Sequence, residues 1–512
     1  MSLVKRAEFF QSETVSLYMP EKYGSVEIYG IEYDSRKVAV GSLFAAIEGF
    51  NSDGCEYISS ALQAGASAIL LHTSKLEDFK FIADENKAIF FTDDVRKALS
   101  QVSSKFFGEP SKKMDIIGIT GTNGKTSITY MLESIFNNAD RNCGVIGTVN
   151  YRWKGNLLEA PNTTPESRDL HELLYKMYCA GTDTVVMEVS SHALSLGRVD
   201  DIYFNVAVIT NLTGDHLDFH QDMEDYFNAK SKLFDLLDKS PKTTRVGIVN
   251  ADDDYCMRIL GNHYSYPLYS FVLDATDNVA DYSPKARSIE NKITGLSYII
   301  DSPKDEVKIS LSIAGSFHVA NSIVAFAVAD CLGIKSSDIC DGLSALKSIP
   351  GRFDIINSKL GFSVIVDYAH TPDALLKLLI AVNDIHRSHN SRIITVFGCG
   401  GDRDKTKRPV MGGVASENSD FVIVTSDNPR TEEPNSIIND ILNGVDSSKS
   451  KIIPDRKEAI CQAIKMAQPD DIIVIAGKGH EDYQILGKTK IKFDDHIIAR
   501  EFIEEREVKE KV

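Results

Sequence analysis

Residues 116–127 read Ile116-Ile-Gly-Ile-Thr120-Gly121-Thr-Asn-Gly124-Lys125-Thr126-Ser127, an apolar run that breaks into a glycine loop. Beyond the loop, Ile128, Met131, Leu132, Ile135 and Phe136 recur at helical spacing. The stretch predicts a strand, a glycine loop and a helix, the order that binds phosphate. Its glycines let backbone amides approach phosphate oxygens and the helix turns its positive end toward the anion, while Lys125 adds a point charge and the Thr126 hydroxyl can ligate Mg²⁺. The plainer reading is a glycine turn with a chance lysine, and the flanking strand and helix weigh against it. The strict G-x-x-x-x-G-K-[ST] pattern fails at Ile119, which stands where its first glycine belongs.

The 512 residues divide into about three domains, as a prior of roughly 150 residues per domain allows. Residues 1–110 mix short apolar runs such as Ser67–Leu71 and Ala88–Thr92 with turn clusters at Asp34-Ser35-Arg36 and Asp53-Gly54, predicting a small α/β domain. Phe106–Lys113, with Gly108, Pro110 and two lysines, reads as a linker. Residues 111–347 add strand candidates at Thr184–Val189, Phe204–Asn211 and Arg245–Asn250, spaced for crossover helices and hence for a mostly parallel sheet. Alternation at Val307, Ile309, Leu311 and Ile313 predicts a half-exposed antiparallel strand. Ser348–Arg352, with Pro350-Gly351, marks the second boundary. Residues 348–512 carry apolar strands at Phe362–Asp367, Ile393–Gly398, Phe421–Ser426 and Asp471–Gly477 and a helical pattern at Ala374–Ile385. That is a second doubly wound domain, whose ligands belong beyond the carboxyl ends of its strands.

Composition narrows the partners. With 56 basic against 73 acidic residues, the formal charge of −17 argues against a nucleic-acid or membrane-surface protein, so an anionic ligand needs a local pocket. The N-terminus lacks the apolar core of a signal peptide and no segment approaches the ~18 apolar residues of a membrane helix, so a cytoplasmic protein is expected. The eight cysteines include no Cys-x-x-Cys pair and predict neither a zinc site nor a disulfide framework.

Two further residues sit at or just past predicted strand ends: Glu188 in Met187-Glu-Val-Ser-Ser-His192, and His216 in Thr210-Asn-Leu-Thr-Gly-Asp-His-Leu-Asp218. Topology could bring both beside the phosphates, where Mg²⁺ takes oxygen ligands readily and nitrogen less so. A solvated glutamate and a capping histidine are the alternative. Lys230, in Tyr226-Phe-Asn-Ala-Lys-Ser-Lys-Leu-Phe234, would alone read as a surface charge. Taken with the T-G-T-N-G-K-T form of the loop, Glu188, His216 and Asn162-Thr163-Thr164-Pro165-Glu166, it completes a set that resembles the Mur ligases. Within them the likeness is to members that add the third amino acid to the UDP-MurNAc peptide of bacterial cell-wall synthesis. It runs from Asp34-Ser35-Arg36 to Gly477-Lys-Gly-His-Glu-Asp-Tyr483.

The resemblance implies a three-domain architecture: a small N-terminal α/β domain for the UDP end of the substrate, a central P-loop-type ATPase domain with a mostly parallel sheet, and a C-terminal Rossmann-like domain for the amino acid. It implies an ATP-dependent acid–amino-acid ligase of peptidoglycan precursor synthesis, monomeric, using ATP and Mg²⁺ through an acyl phosphate. Gly121, Thr122, Asn123, Gly124, Lys125, Thr126 and Ser127, with Asn321 and Arg352, would hold ATP. Thr126, Glu188, His216 and Lys230 would lie at the metals, with Lys125, Glu188, His216 and Lys230 serving catalysis. Lys230 matches a lysine that the family carries as a carbamate, whose anionic oxygens can help hold a cation that an ammonium would repel. Ser35, Thr163, Thr164, Ser190 and Arg198 match positions that bind the UDP-MurNAc-dipeptide. His318 stands where Asn is more usual and is left without a role.

For the incoming amino acid, the matching positions are Arg403, Asp427, Asn428, Pro429, Arg430, Gly477 and Glu481. An arginine fork suits a carboxylate, and Asn428 and Glu481 could hold an ammonium or amide. The Asp427-Asn-Pro-Arg430 form resembles the branch that adds meso-diaminopimelate, whose extra carboxylate would use both arginines; lysine or ornithine would leave one without a partner. The competing reading pairs Arg430 with Glu432 or Glu433 on the surface. Three other functions compete with the ligase. A folylpolyglutamate synthase lacks the N-terminal UDP domain and this arginine motif, an NTPase switch needs no amino-acid site, and a non-catalytic descendant need not retain Lys125, Thr126, Glu188, His216 and Lys230.

Overall fold

Unbroken apolar strands form where both faces of a sheet are covered. In the computed structural model, which describes residues 3–49, 52–273, 282–302, 306–385 and 391–510, the strand Asp115–Thr120 lies inside an eight-stranded sheet. The outermost residues of the expected domain spans, 1–2 and 511–512, lie outside the described residues. The neighbours of Asp115–Thr120 are Thr184–Glu188 on one side and Val206–Ile209 on the other, both parallel to it. Cys143–Ile146 extends the first side, Val246–Asn250 and Leu268–Phe271 the second, and an antiparallel hairpin of Asn150–Trp153 and Asn156–Glu159 closes one edge. Because the chain leaves Asp115–Thr120 toward one side of the sheet and the adjacent Val206–Ile209 toward the other, the carboxyl ends of these two strands form a topological switch point.

Helix Lys125–Asn138 buries its Ile128, Leu132 and Ile135 stripe on one face of this sheet, and helix Met223–Asp238 buries Leu233 and Phe234 on the other. Each such side chain contributes about 1.5–3 kcal/mol when fully buried. A three-stranded antiparallel sheet of Lys285–Lys292, Gly295–Asp301 and Glu306–Leu311 follows, with Val307, Ile309 and Leu311 inward; Ile313 is buried beyond the strand end. Helix Phe317–Cys331 is apolar nearly all round and accordingly buried nearly all round.

The N-terminal sheet orders Ser16–Leu17, Ala88–Thr92, Ala68–His72, Ser42–Ala45 and Gly30–Glu32, with only the first strand antiparallel. The C-terminal sheet orders Asp354–Asn357, Ser363–Asp367, Ile472–Ala476, Ile393–Phe397, Phe421–Val424 and Ser450–Ile452, parallel except for its first strand. Helix Pro372–Ile385 covers one face, and helices Arg456–Met466 and Asp495–Lys509 the other. Between the last two, Arg456 and Asp495 form a fully buried two-pronged pair at 2.8 and 2.7 Å, and Arg456 Nη2 also donates to the Ala476 carbonyl at 3.0 Å. Among the described residues, no helix is long and apolar enough to cross a membrane.

The join expected at Phe106–Lys113 is packed rather than loose: Pro110 and Ser111 are buried, and Ser111 Oγ accepts the Tyr203 N–H at 3.3 Å. Helix Ser167–Cys179 of the central domain lies against helix Val95–Phe106 of the first. There Arg168 donates to the Ile31 carbonyl at 2.7 Å and to Glu32 at 2.9 Å, and the Tyr33 hydroxyl donates to Asp169 at 2.6 Å. His171 is completely buried on this helix, and among the described residues neither ring nitrogen has a hydrogen-bond partner. Burial pushes its imidazole down from 6.5 to about 3. The unfolded chain therefore takes up a proton below pH 6.5 that the folded chain refuses until about pH 3, so this contribution to stability is complete above 6.5 and falls as the pH drops across that window. Urea midpoints measured from pH 7 to 4 are expected to decline, and His171→Leu to make the decline shallower.

Candidate active site

The phosphate-type loop leaves the switch point and starts its helix at Gly124, whose φ of +90° is left-handed. A Cβ there would lie 2.5 Å from Asn321 Oδ1, which places helix Phe317–Cys331 directly against the loop. Lys125 Nζ donates to the carbonyls of Gly121 and Thr122 at 2.8 and 2.9 Å. Lys230, from helix Met223–Asp238, is buried and donates to the same Gly121 oxygen at 2.9 Å, with its ammonium 4.5 Å from the centre of the Tyr226 ring. Burial, and then the nearby charge of Lys125, holds Lys230 well below the ordinary lysine range.

Glu188 ends its strand with only 1% of its surface exposed. Its carboxylate accepts from the Thr126 hydroxyl at 3.0 and 3.1 Å and from the Thr148 N–H and hydroxyl at 2.9 and 3.0 Å. Thr163 Oγ1 meets Thr148 Oγ1 at 3.1 Å, Thr164 Oγ1 donates to the Glu188 carbonyl at 2.9 Å, and Ser190 caps the next helix at the Ala193 N–H. Among the described residues Glu188 forms no ion pair, an uncommon state for a buried carboxylate and one that a cation would relieve. His216, at a left-handed φ of +56°, has Nε2 3.5 Å from Asp215 Oδ2; the same oxygen lies 4.0 Å from His370 Nε2 of the C-terminal domain.

These groups line one cavity of about 700 Å³ between the central and C-terminal domains. Arg352, Tyr368 and His370 face the loop across it. Arg352 Nη2 donates to the Thr126 hydroxyl at 3.2 Å while its guanidinium lies over the Tyr368 ring, and Asn123 Nδ2 and Thr213 Oγ1 both donate to Asp373, at 2.9 and 3.3 Å. The sequence reading missed Tyr368, His370 and Asp373, although they follow the predicted strand ending at Asp367, where a doubly wound domain presents its ligand-binding turns. The donor set fits Mg²⁺: a hydroxyl, an uncompensated carboxylate and one imidazole around a single cavity. Among the described residues no three His, Cys, Asp or Glu side chains cluster as a metal site.

The residues expected to hold the UDP substrate divide. Thr163 and Ser190 line the cavity, and Thr164 lies beneath them. Arg198 donates to the Thr164 carbonyl at 3.4 Å and lies 3.4 Å from Glu166, which also pairs with Arg96 of the first domain at 3.1 Å. Ser35 lies apart from the cavity, in the 3-10 turn Ser35–Lys37 of the first domain.

In the C-terminal domain, Arg430 has a φ of +53° and donates to the Gly401 carbonyl at 2.8 Å. A Cβ on Gly400 would lie 2.9 Å from Arg430 Nη1 and 3.9 Å from Arg403 Cγ, so the two arginines flank one glycine turn. The surface pairing of Arg430 with Glu432 or Glu433 does not form: Glu432 binds Arg408 and Lys405, and Glu433 caps a helix at the Ser436 N–H. The Asn428 carboxamide is taken up inside the protein, donating to Glu481 at 2.9 Å and accepting from the Ile485 N–H at 2.9 Å and from Lys478 at 3.1 Å. Asn428 thus braces Glu481 through one N–H of its amide.

Three family models match the chain: "Mur ligase family, catalytic domain" over residues 27–107, "Mur ligase middle domain" over 119–329, and "Mur ligase, glutamate ligase domain" over 351–479. A protein of Clostridioides difficile (strain 630) named UDP-N-acetylmuramoyl-L-alanyl-D-glutamate--2,6-diaminopimelate ligase is 43% identical over 93% of this chain and 95% of its own. The protein of the same name from Fusobacterium nucleatum is 43% identical over 94% and 95%. A solved structure bearing that ligase name superposes with a TM-score of 0.68 at 30% identity, covering 98% of this chain and 99% of the other. MurF from Acinetobacter baumannii shares the fold, with a TM-score of 0.66 at 19% identity over 98% of this chain and all of its own. With family models spanning all three domains and relatives this similar over nearly the whole length, the chain belongs to the Mur ligase family.

Proposed function

We propose that the protein joins meso-diaminopimelate to UDP-N-acetylmuramoyl-L-alanyl-D-glutamate at the expense of ATP, as a cytoplasmic step in making peptidoglycan precursors. The observation that carries this reading is the shared cavity, in which a phosphate loop on one domain faces Arg352, Tyr368 and His370 on another. Residues 1–110 hold the UDP end, 111–347 the ATP and 348–512 the amino acid, all on a single chain acting as a monomer.

The γ-carboxylate of the D-Glu residue attacks the ATP γ-phosphorus; an O–P bond forms, the bond to the bridging oxygen breaks, and its electron pair leaves with ADP. The amine then attacks the acyl phosphate carbonyl, a C–N bond forms, the C–O bond breaks, phosphate departs with that pair and the amine proton passes to solvent. Lys125 and the amides of Gly121–Ser127 hold the phosphates, and Arg352 and Asn321 close on them from the other side; most of the rate comes from this positioning and charge neutralisation. Thr126, Glu188, His216 and the carbamate of Lys230 would hold Mg²⁺, which would supply further neutralisation of phosphate charge. Lys230 acts as a carbamate: its buried nitrogen, favoured in the neutral form, adds to CO₂ and loses a proton, turning a cationic side chain into an anionic one. Thr163, Thr164, Ser190 and Arg198 orient the UDP substrate. Arg403 and Arg430 receive the carboxylate that diaminopimelate has and lysine lacks.

Release of ADP is expected only when ATP, Mg²⁺, UDP-MurNAc-L-Ala-D-Glu and the amino acid are all present; equal release without the UDP substrate would defeat the ligase reading. Arg430→Ala is expected to weaken diaminopimelate use by about 2–5 kcal/mol in kcat/KM, the cost of removing one partner of a desolvated charge pair. If the unaltered enzyme prefers lysine or ornithine, the arginine argument is wrong. Lys230→Ala is expected to lose activity and to regain part of it in formate or acetate; no recovery would leave the carbamate unsupported.

A further inference from the structure

The mechanism leaves Lys478 without a task. It follows Gly477 in the turn after strand Ile472–Ala476, and its side chain has no exposed surface. Its ammonium donates to Glu481 Oε2 at 2.9 Å and to Asn428 Oδ1 at 3.1 Å, and lies 3.6 Å from Asp427 Oδ1. Gly477, at a left-handed φ of +120°, lets this turn lie against Asp427: a Cβ there would fall 2.7 Å from Asp427 Oδ2. Asn428 Nδ2 donates to the same Glu481 Oε2 at 2.9 Å. Two donors therefore fix one oxygen of Glu481, and among the described residues the other, Oε1, has no hydrogen-bond partner.

We propose that Lys478 is a positioning residue of the amino-acid site: by holding Glu481 Oε2 it presents Oε1 to an ammonium group of the incoming diamino acid and thereby sets the affinity for that substrate. The inference rests on the ligase reading above. A carboxylate whose direction is fixed in advance binds an ammonium without first being ordered. The charge of Lys478 also makes it tolerable to bury Asp427 and Glu481 side by side, leaving the pair able to accept one more cation. Lysine and diaminopimelate both carry such an ammonium, so Lys478 governs recognition of a diamino acid, whereas Arg403 and Arg430 govern the extra carboxylate.

The test is a double-mutant cycle in the full-length enzyme, with KM measured for each substrate and the melting temperature followed in parallel. Lys478→Met is expected to raise the KM for the amino acid about thirtyfold or more and to leave the KM for ATP unchanged. Lys478→Arg keeps the charge but displaces Glu481, and is expected to raise the same KM, so either variant that folds decides the matter. Glu481→Gln should act in the same direction, and Lys478→Met combined with it should be no worse than the poorer single variant, because the lysine acts through the glutamate. A folded Lys478 variant with an unaltered amino-acid KM, losses that multiply in the double variant, or an equal rise in the KM for ATP would each overturn the proposal. The cycle is run with whichever amino acid the unaltered enzyme ligates. Use of lysine in place of diaminopimelate would thus defeat the assigned substrate while the coupling between Lys478 and Glu481 still reports on this inference.

Discussion

Two lysine ammonium groups meet at one carbonyl oxygen, that of Gly121, and the rest of the site follows from that crowding. Like charges this close, one of them completely buried, are stable only if anionic charge arrives or one nitrogen gives up its proton. The loop that brings them together faces Glu188, a buried carboxylate that forms no ion pair among the described residues. Charge is therefore unbalanced on both sides of the Thr126 hydroxyl. A ligand bearing phosphates with an accompanying cation answers both imbalances at once, which is how a chain with a formal charge of −17 can attract an anion.

The sheets make this arrangement possible. Asp115–Thr120 has neighbours on both sides, so the loop at its carboxyl end, the end of Thr184–Glu188 and the turn after Val206–Ile209 open at one place. The C-terminal sheet does the same with the turn after Ser363–Asp367, which reaches the central domain through Asp373 and His370. Asp367 steadies its own turn by accepting the N–H groups of Phe353 and Ala369, both at 2.8 Å. Elsewhere in that sheet, the buried Arg456–Asp495 pair ties helix Arg456–Met466 to the end of strand Ile472–Ala476, just before Lys478. Removing either partner would leave a buried charge unpaired, at a cost of about 3–5 kcal/mol.

The division between what was legible and what was not follows the range of the interactions. Apolar runs and helical spacing are local, so Ile116–Thr120 was read within one residue of Asp115–Thr120, and Ala374–Ile385 within two of Pro372–Ile385. The glycine loop carried its own chemistry for the same reason: amides, lysine and hydroxyl lie within a few residues of one another. Glu188, His216 and Lys230 were legible only as members of a set, since nothing near any of them in sequence says that it lines one cavity with the glycine loop. Lys478 escaped notice although it sits beside Gly477, because a lysine in a polar turn looks like a solvated charge until its neighbours are known.

By itself the sequence determined several of the strands and helices, the glycine loop between them, the acidic balance and the family to which the chain belongs, because each is written in neighbouring residues or in the match of the whole chain to a known pattern. Only the tertiary structure decided that Asn123 meets Asp373 across 250 positions, that Arg352 reaches Thr126, that Asn428 turns inward to brace Glu481, and that Ser35 stands apart from the cavity. Those outcomes depend on how separate sheets pack and on which donor reaches a given oxygen first. Burial and competition for hydrogen-bond partners are properties of the assembled core, and no short stretch of chain contains them.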